Sequence, residues 1–487
     1  VTPRTRLCAA AWLALAGLPA AAQDESVELK PSRRLAPSAL ARELGAARAA
    51  PMVRSAAEAA EAAAEDATPL ELVEAVRRAV ARHPAISDAI ATLAQQSGGV
   101  EVARAGYYPQ VRMSVGAGAN GGGSGSGAGA GGRRRNGVLA TASLSQMLYD
   151  FGKVDGAVDQ SEAQVRRQQA IVLRQIDAIA QQTADAVVRV HRYQSLAAIA
   201  QEQVRAVEKV LETARLRASS GLSTQADPLQ AGSRVEGARA NLLQVKSQLA
   251  QSRERLATLL GGPVPPLVAP LPQQLAAELR IDQPPPDTAL LPDVLAAEAD
   301  RRVAAAQLDI AKAQRYPTLS LDLSANKAMG GVNPGTLERN GSSHTVMFNL
   351  SSAIYQGGAL DAQVRSATAA EEAARMRIEA ARLNAGDQAR SFREQAIGAQ
   401  ARLGVLAERR RSIGEARDLY REQYTLGTRS ILDLLNAEQE IHQAAADQEA
   451  VAHDLWESRI GYIGATGQGR AFYGLDNTTV QGMELLP

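Results

Sequence analysis

From Lys153 to Ser219 the chain contains no proline and one glycine, Gly156, and from Ala359 to Tyr424 it again contains no proline. An unbroken helix over such a run reaches roughly 100 Å, and no ordinary globular domain needs two of them. In the first run Val172, Ile176, Ile179, Val187, Val190, Tyr193, Ala197, Ala200, Val204, Val207 and Leu211 step mostly by three or four residues, which is coiled-coil spacing. Alanine at many other seam positions lets neighbouring helices approach closely. Aromatic residues make up only 3% of the 487 residues, so the bulky side chains of a large conventional core are missing. Charged residues are 22% and nearly balanced, with a net charge of +1. That balance suits long solvated amphipathic helices and speaks against a nucleic-acid partner.

The two runs belong to two copies of one plan. GLSTQADPLQ at Gly221–Gln230 returns as GTRSILDLLN at Gly427–Asn436, an offset of 206 residues. Tyr149 and Gly152 in LYDFGK match Tyr355 and Gly358 in IYQGGA at that offset, as Asp227 matches Asp433 and Gly261 matches Gly467. Tyr108-Pro109 matches Tyr316-Pro317 within two residues. Anchors at a constant offset along a whole copy mean an internal duplication. The boundaries read as a signal peptide at 1–22, an Ala-rich and partly disordered extension at 23–67, a first repeat at 68–262, a Pro-rich stiff connector at 263–290, a second repeat at 291–467 and a tail at 468–487.

Each repeat reads as helix, strand, loop, strand, very long helix, turn, helix. Val111, Met113 and Val115 alternate with Arg112 and Ser114, Leu319, Leu321 and Leu323 with Ser320, Asp322 and Ser324, and Val346, Phe348 and Leu350 with Thr345, Met347 and Asn349. The fourth strand, VLATASLSQMLY, is the least regular. Ten-residue segments with one apolar and one polar face suit a membrane barrel with a wet interior, and equally a half-buried sheet of a soluble domain. Four strands close no barrel, and open strand edges in lipid cost several kcal/mol per unpaired backbone group. If the strands are in a membrane, several chains share one barrel, and three chains give twelve strands. The loop GAGANGGGSGSGAGAGGRRRNG, ending in Arg133, Arg134 and Arg135, reads as a solvated surface loop, with contact to lipopolysaccharide phosphates as the alternative.

Arg4 and Arg6, the run LCAAAWLALAGL and Ala20-Ala21-Ala22 before Gln23 have the order of a secretory signal. The only cysteine, Cys8, lies inside it, so disulfides, thiolate catalysis and cysteine metal sites are not expected. No later apolar run of about 18 residues offers a membrane helix. Of the five histidines, His442 and His453 stand eleven apart, too far for joint metal ligation on one helix, and all five read as surface or seam residues. No G-x-S-x-G, H-E-x-x-H or P-loop is present. The chain is therefore read as no enzyme, with no cofactor and no metal, and any energy for transport comes from a partner.

YPTLSLDLSA, IYQGG, a long helix and YTLGTRSILDLLNA resemble the second half of TolC-family outer-membrane channel proteins, and AGYYPQV, LYDFGK and ASSGLSTQADPLQA the first half, over roughly residues 68 to 470. The resemblance implies an α+β membrane protein, a homotrimer with a 12-stranded barrel in outer-membrane lipid, four strands per chain. It is continued by a long periplasmic α-helical coiled-coil barrel with a small mixed equatorial region. It implies closure where helix pairs converge at the periplasmic end, and iris-like opening when an inner-membrane pump and adaptor dock. The turns SGLS and LGTR resemble the family's adaptor-docking tips, which puts Gly221, Leu222, Gly427 and Thr428 there, the glycines allowing chain reversal. Arg429 and Tyr424 fall at the family's lock of the closed state, with Asp227 as their acidic partner. Asp433 falls at the constriction ring. Asn436 stands at the second ring position in place of an acid, implying a weaker cation site, and Ala226 and Pro228 depart from the family pattern beside Asp227.

Three functions follow as expectations. The first is the exit duct of type I protein secretion, with an ABC transporter and a membrane-fusion adaptor. LYDFGKV resembles the branch that exports adhesins and similar large proteins, and no lipid-attachment cysteine is seen. The second is the outer-membrane component of a multidrug efflux pump of the RND type. The third is a periplasmic coiled-coil protein without a channel.

Overall fold

The computed structural model describes residues 69–120, 135–266, 291–329 and 338–485, together with 268, 269, 271, 333 and 336. The signal peptide, the Ala-rich extension, Arg133 and Arg134 of the Gly-rich loop and most of the Pro-rich connector lie outside the described residues.

The chain runs α1 (Leu72–Arg82), α2 (Pro84–Arg104), β1 (Gln110–Asn120), β2 (Arg135–Tyr149), α3 (Lys153–Ser219), α4 (Ala226–Leu260), α5 (Pro292–Ala313), β3 (Thr318–Met329), β4 (Ser342–Ser351), α6 (Ala359–Leu426), α7 (Ile431–Ala465), α8 (Gly469–Phe472), β5 (Thr479–Val480) and β6 (Met483–Glu484). The long runs form single helices of 67 and 68 residues. At 1.5 Å per residue each extends about 100 Å. Asp150 starts α3, its carboxylate accepting from the backbone N–H groups of Gly152 at 3.0 Å and Val154 at 2.6 Å. That satisfies orphan donors of the first turn.

β1 to β4 form one antiparallel sheet in sequential order, with a bulge at Met147/Tyr149. The register gives the sheet two unlike faces. The row Val111–Leu144–Leu323–Val346 is apolar throughout, and the neighbouring row Arg112–Ser143–Ser324–Thr345 is polar throughout. On the polar face the Ser145 hydroxyl donates to Asp322 at 2.6 Å and the Thr141 hydroxyl to Asn326 at 2.8 Å. VLATASLSQMLY looked irregular because its face residues are Ala140, Ala142 and Leu144, a weak apolar signal paired to stronger neighbours. β1 and β4 are both edges.

Aromatic side chains gather where strands meet helices. Phe151 lies edge-on to Tyr149, with ring centres 4.7 Å apart, and stacks on Tyr316 at 5.1 Å, while Tyr107, Tyr108 and Tyr355 stand at the neighbouring strand ends. Phe151 has φ +58°, the left-handed region, where the second repeat has Gly357 at φ +62°. Phenylalanine is strained there.

The main core joins α1, α2, the middle of α3, the end of α4 and the segment after residue 467. Tyr473, Leu475, Val480 and Leu485 of that segment are buried in it. The Gln481 amide donates to the carbonyls of Val80 at 3.1 Å and His83 at 3.2 Å, and Arg77 Nε to Tyr473 O at 2.7 Å. The residues read as a tail thus fold back onto α1. The sister long helices differ in burial. α3 packs on α1, α2, α4, α5, α7 and α8, whereas α6 packs mainly on α5 and α7 and buries only Ala374, Ile378, Ala389, Ala396, Ala399 and Tyr424.

Candidate gate at the helical tip

The α3–α4 and α6–α7 hairpins end in turns of one design. Gly221 (φ +72°) follows α3 and Gly427 (φ +79°) caps α6. Leu222 N–H returns to Arg217 O at 2.8 Å, and Thr428 N–H to Gln423 O at 3.0 Å. Both are Schellman closures, and glycine occupies the left-handed position because a Cβ is disfavoured there. α7 then starts from Ser430, whose hydroxyl oxygen accepts from Asp433 N–H at 3.3 Å, and whose O–H donates to Asp433 Oδ2 at 3.0 Å. Leu222 is two-thirds exposed and Thr428 is exposed, so both turns present side chains outward.

Below the turns the hairpins share an apolar cluster: Val207, Val210, Leu211 and Ala214 of α3, Ala231 and Val235 of α4, Tyr424 of α6, and Ile431, Leu434 and Leu435 of α7. Tyr424 is 2% exposed and its hydroxyl has no hydrogen-bond partner. Burial raises its pKa, the Asp227 charge adds to the rise, and Arg217 opposes it. Asp227 stands in the first turn of α4, with the Thr224 hydroxyl 3.5 Å from its carboxylate.

Arg429 takes a different partner within the chain. Its Nε lies 3.1 Å from Asp433 Oδ2, and its guanidinium lies over the Tyr420 ring at 4.1 Å. The structure thus brings Arg429 to Asp433, four residues on along the same hairpin, and not to Asp227. Asn436 is exposed, and its side-chain oxygen accepts from Arg234 Nη2 at 3.2 Å.

Three charged groups at the tip escape a reading by motif. Arg217, in the last turn of α3, donates from Nη1 to Thr425 O of α6 at 2.7 Å. Arg234 of α4 donates to Gln439 Oε1 of α7 at 2.8 Å as well as to Asn436. Glu438 of α7 is fully buried, with Arg421 hydrogen-bonded to it and Arg417 at 3.8 Å, both on α6. His442 Nε2 lies 3.9 Å from Glu438, and burial lowers the His442 pKa. A carboxylate removed from water stays only where cations face it. The sequence signal for Glu438 was its place on the seam carrying the apolar Leu434 and Leu435. No local signal pointed to Arg217 or Arg234, whose acceptors lie about one repeat away. Among the described residues no group of three or more His, Cys, Asp or Glu could hold a metal ion.

The family model for outer membrane efflux proteins matches residues 75–262 and 289–468. Protein CyaE of Bordetella pertussis is 27% identical over 327 residues, 65% of this chain and 67% of that protein. The pyoverdine export outer membrane protein OpmQ of Pseudomonas putida is 28% identical over 290 residues, 56% of this chain and 58% of its own length. The crystal structure of the outer membrane protein VceC of Vibrio cholerae superposes with a TM-score of 0.69 at 19% identity, covering 81% of this chain and 96% of that one. At that identity the likeness speaks for the fold.

Proposed function

The chain belongs to the outer membrane efflux protein family, and from that membership we propose that three copies form the exit duct of a tripartite export system, gated at the tip described above. The sheet lies in the outer membrane and the long helices in the periplasm. Membership sets aside the reading as a coiled-coil protein without a channel.

One observation carries the duct: a four-stranded sheet with an apolar face and two open edges. Val111, Met113, Val115, Val346, Phe348 and Leu350 are between 67% and 83% exposed on that face. In lipid the unpaired edges of β1 and β4 would cost several kcal/mol per backbone group. Pairing β4 of one chain with β1 of the next removes every edge when the ring closes. The aromatic collar at the strand ends supports the same placement, since such residues favour the membrane–water boundary.

The lock and the ring rest on family positions. Asp227, Tyr424 and Arg429 are read as the lock, and the field of Asp227 at Tyr424 supports an arrangement in which they act together. In one chain Arg429 is held by Asp433, so its lock contact would be made to a neighbouring copy. Asp433 is read as the ring carboxylate, with Asn436 beside it. Gly221, Leu222, Gly427 and Thr428 are read as docking points for a membrane-fusion adaptor. The resemblance of LYDFGKV supports type I protein secretion with an ABC transporter. The relative named for pyoverdine export supports the second reading, small-molecule efflux.

The purified full-length protein is expected to run as a heat-modifiable trimer and to give small single-channel currents in planar bilayers. Asp433→Ala is expected to weaken block by multivalent cations added on the periplasmic side. A stable detergent-free monomer without currents overturns the duct, and unchanged block overturns the ring assignment alone.

A further inference from the structure

We propose that the two hairpins of each chain are latched to one another by two arginines of the first hairpin, Arg217 and Arg234, which grip neutral oxygen acceptors on the second. The proposal rests on the gate reading above and adds the in-chain contact that the lock positions leave unmade.

Arg217 comes first. It stands where α3 ends, and its target, Thr425 O, is among the last carbonyls of α6. Those carbonyls have no partner within the helix, and they carry the negative end of its dipole. Arg217, at the end of α3, thus places its cation at the negative end of α6. Nη1 donates to Thr425 O at 2.7 Å, Nη2 leans to Leu222 O at 3.5 Å, and the guanidinium lies 5.1 Å from the centre of the Tyr424 ring. Gly427 makes room for it: a Cβ there would stand 3.2 Å from Arg217 Nη2, whereas a Cβ at Gly221 would meet nothing within 4 Å. The second glycine thus serves a contact as well as a turn.

Arg234 makes the second rung, farther along the hairpins. Its fork spans Asn436 and Gln439, one turn apart on α7. A fork of parallel N–H donors fits two acceptors at that spacing, which a lysine does not. Both rungs use a charged donor and an uncharged acceptor, so the lock acid Asp227 takes no part in either. Between the rungs lies the shared apolar cluster around Tyr424. Separating the hairpins must break both rungs and open that cluster.

The test uses full-length protein in detergent and in planar bilayers. Arg217→Ala is expected to raise open-state occupancy about tenfold, the effect of losing one hydrogen bond from a charged donor, and Arg234→Ala less because Arg234 is exposed. Arg217→Lys is expected to fall between. Arg239→Ala, which removes pairs to Glu208 and Glu236 within the first hairpin only, is expected to leave currents unchanged. Spin labels at Ser219→Cys and Leu426→Cys read the separation of the two tips without any current. They are expected to give a narrow distance distribution in the parent and a broader, longer one with Arg217→Ala. Thermal melts of each variant separate latch loss from misfolding. Unchanged distances in a folded Arg217→Ala protein overturn the latch, whether or not channels insert. Broadened distances in a protein that never conducts keep the latch and overturn the duct.

Discussion

At Gly427 two demands fall on one α-carbon, a left-handed backbone and the Arg217 guanidinium beside the missing side chain. The first demand is legible in sequence, because a glycine that ends a long helical pattern has a standard meaning. The second is not, because Arg217 lies in the other repeat and looks like any solvated helix cation. The same holds for His191 and His453, which read as ordinary seam residues and do lie at the α3–α7 seam, with ring nitrogens 2.8 Å apart. Two carboxylates on α3 make a prediction at this scale. Burial is the main cause that raises Asp177 and Asp185 from 3.8 to about 6, with Arg470 opposing it at Asp177 and Gln181 at Asp185. A carboxyl whose native pKa is raised costs stability above that pKa and ceases to do so below its unfolded value. Asp185→Asn is therefore expected to raise the melting temperature at pH 7.5, by the equivalent of roughly 1–3 kcal/mol. The gain should shrink through pH 6 and vanish near pH 4. A gain that is flat with pH would assign the effect to something other than charge burial.

At the scale of elements the sister helices α3 and α6 set the terms. Proline-free length made both helices legible, seam spacing adding to it in the first, and period-two alternation made three of the four strands legible. What those signals do not carry is which face of a helix finds its partner in the same chain. α6 leaves Met376, Leu383, Ile397, Val405, Leu419 and Leu426 between 44% and 78% exposed, near heptad spacing. α4 does the same with Leu229 and Leu243. Such a stripe has the pattern of a coiled-coil seam without its second strand, and in the proposed ring of three copies a neighbouring chain would be expected to supply it. Leu383→Glu with Val405→Glu is expected to abolish the heat-modifiable trimer on gels while leaving the helical circular dichroism of the chain largely intact. Retention of the trimer would mean that those residues face solvent or the lumen.

For the whole molecule, duplication was the most informative reading, since several anchors at one offset tied the strands, long helix and turn of the first repeat to those of the second. It left out the main core, where the residues after 467 meet α1 through contacts such as the Gln481 side-chain amide donating to Val80 O. It also left open the cargo, which depends on partners. A deletion strain is expected to lose export of a large protein with little change in drug tolerance. Raised drug sensitivity with normal protein export would favour the efflux reading.

The unequal burial of the sister helices has a mechanical meaning. α3 is wedged among six neighbours. α6 rests along most of its length on two, touching the first hairpin only near its end, and four of the six residues it buries are alanines. A bearing lined with methyl groups offers few interlocking side chains to lift apart, and each gives up little apolar area when it shifts. If the tip opens as proposed above, the second repeat is therefore the part expected to slide over the first.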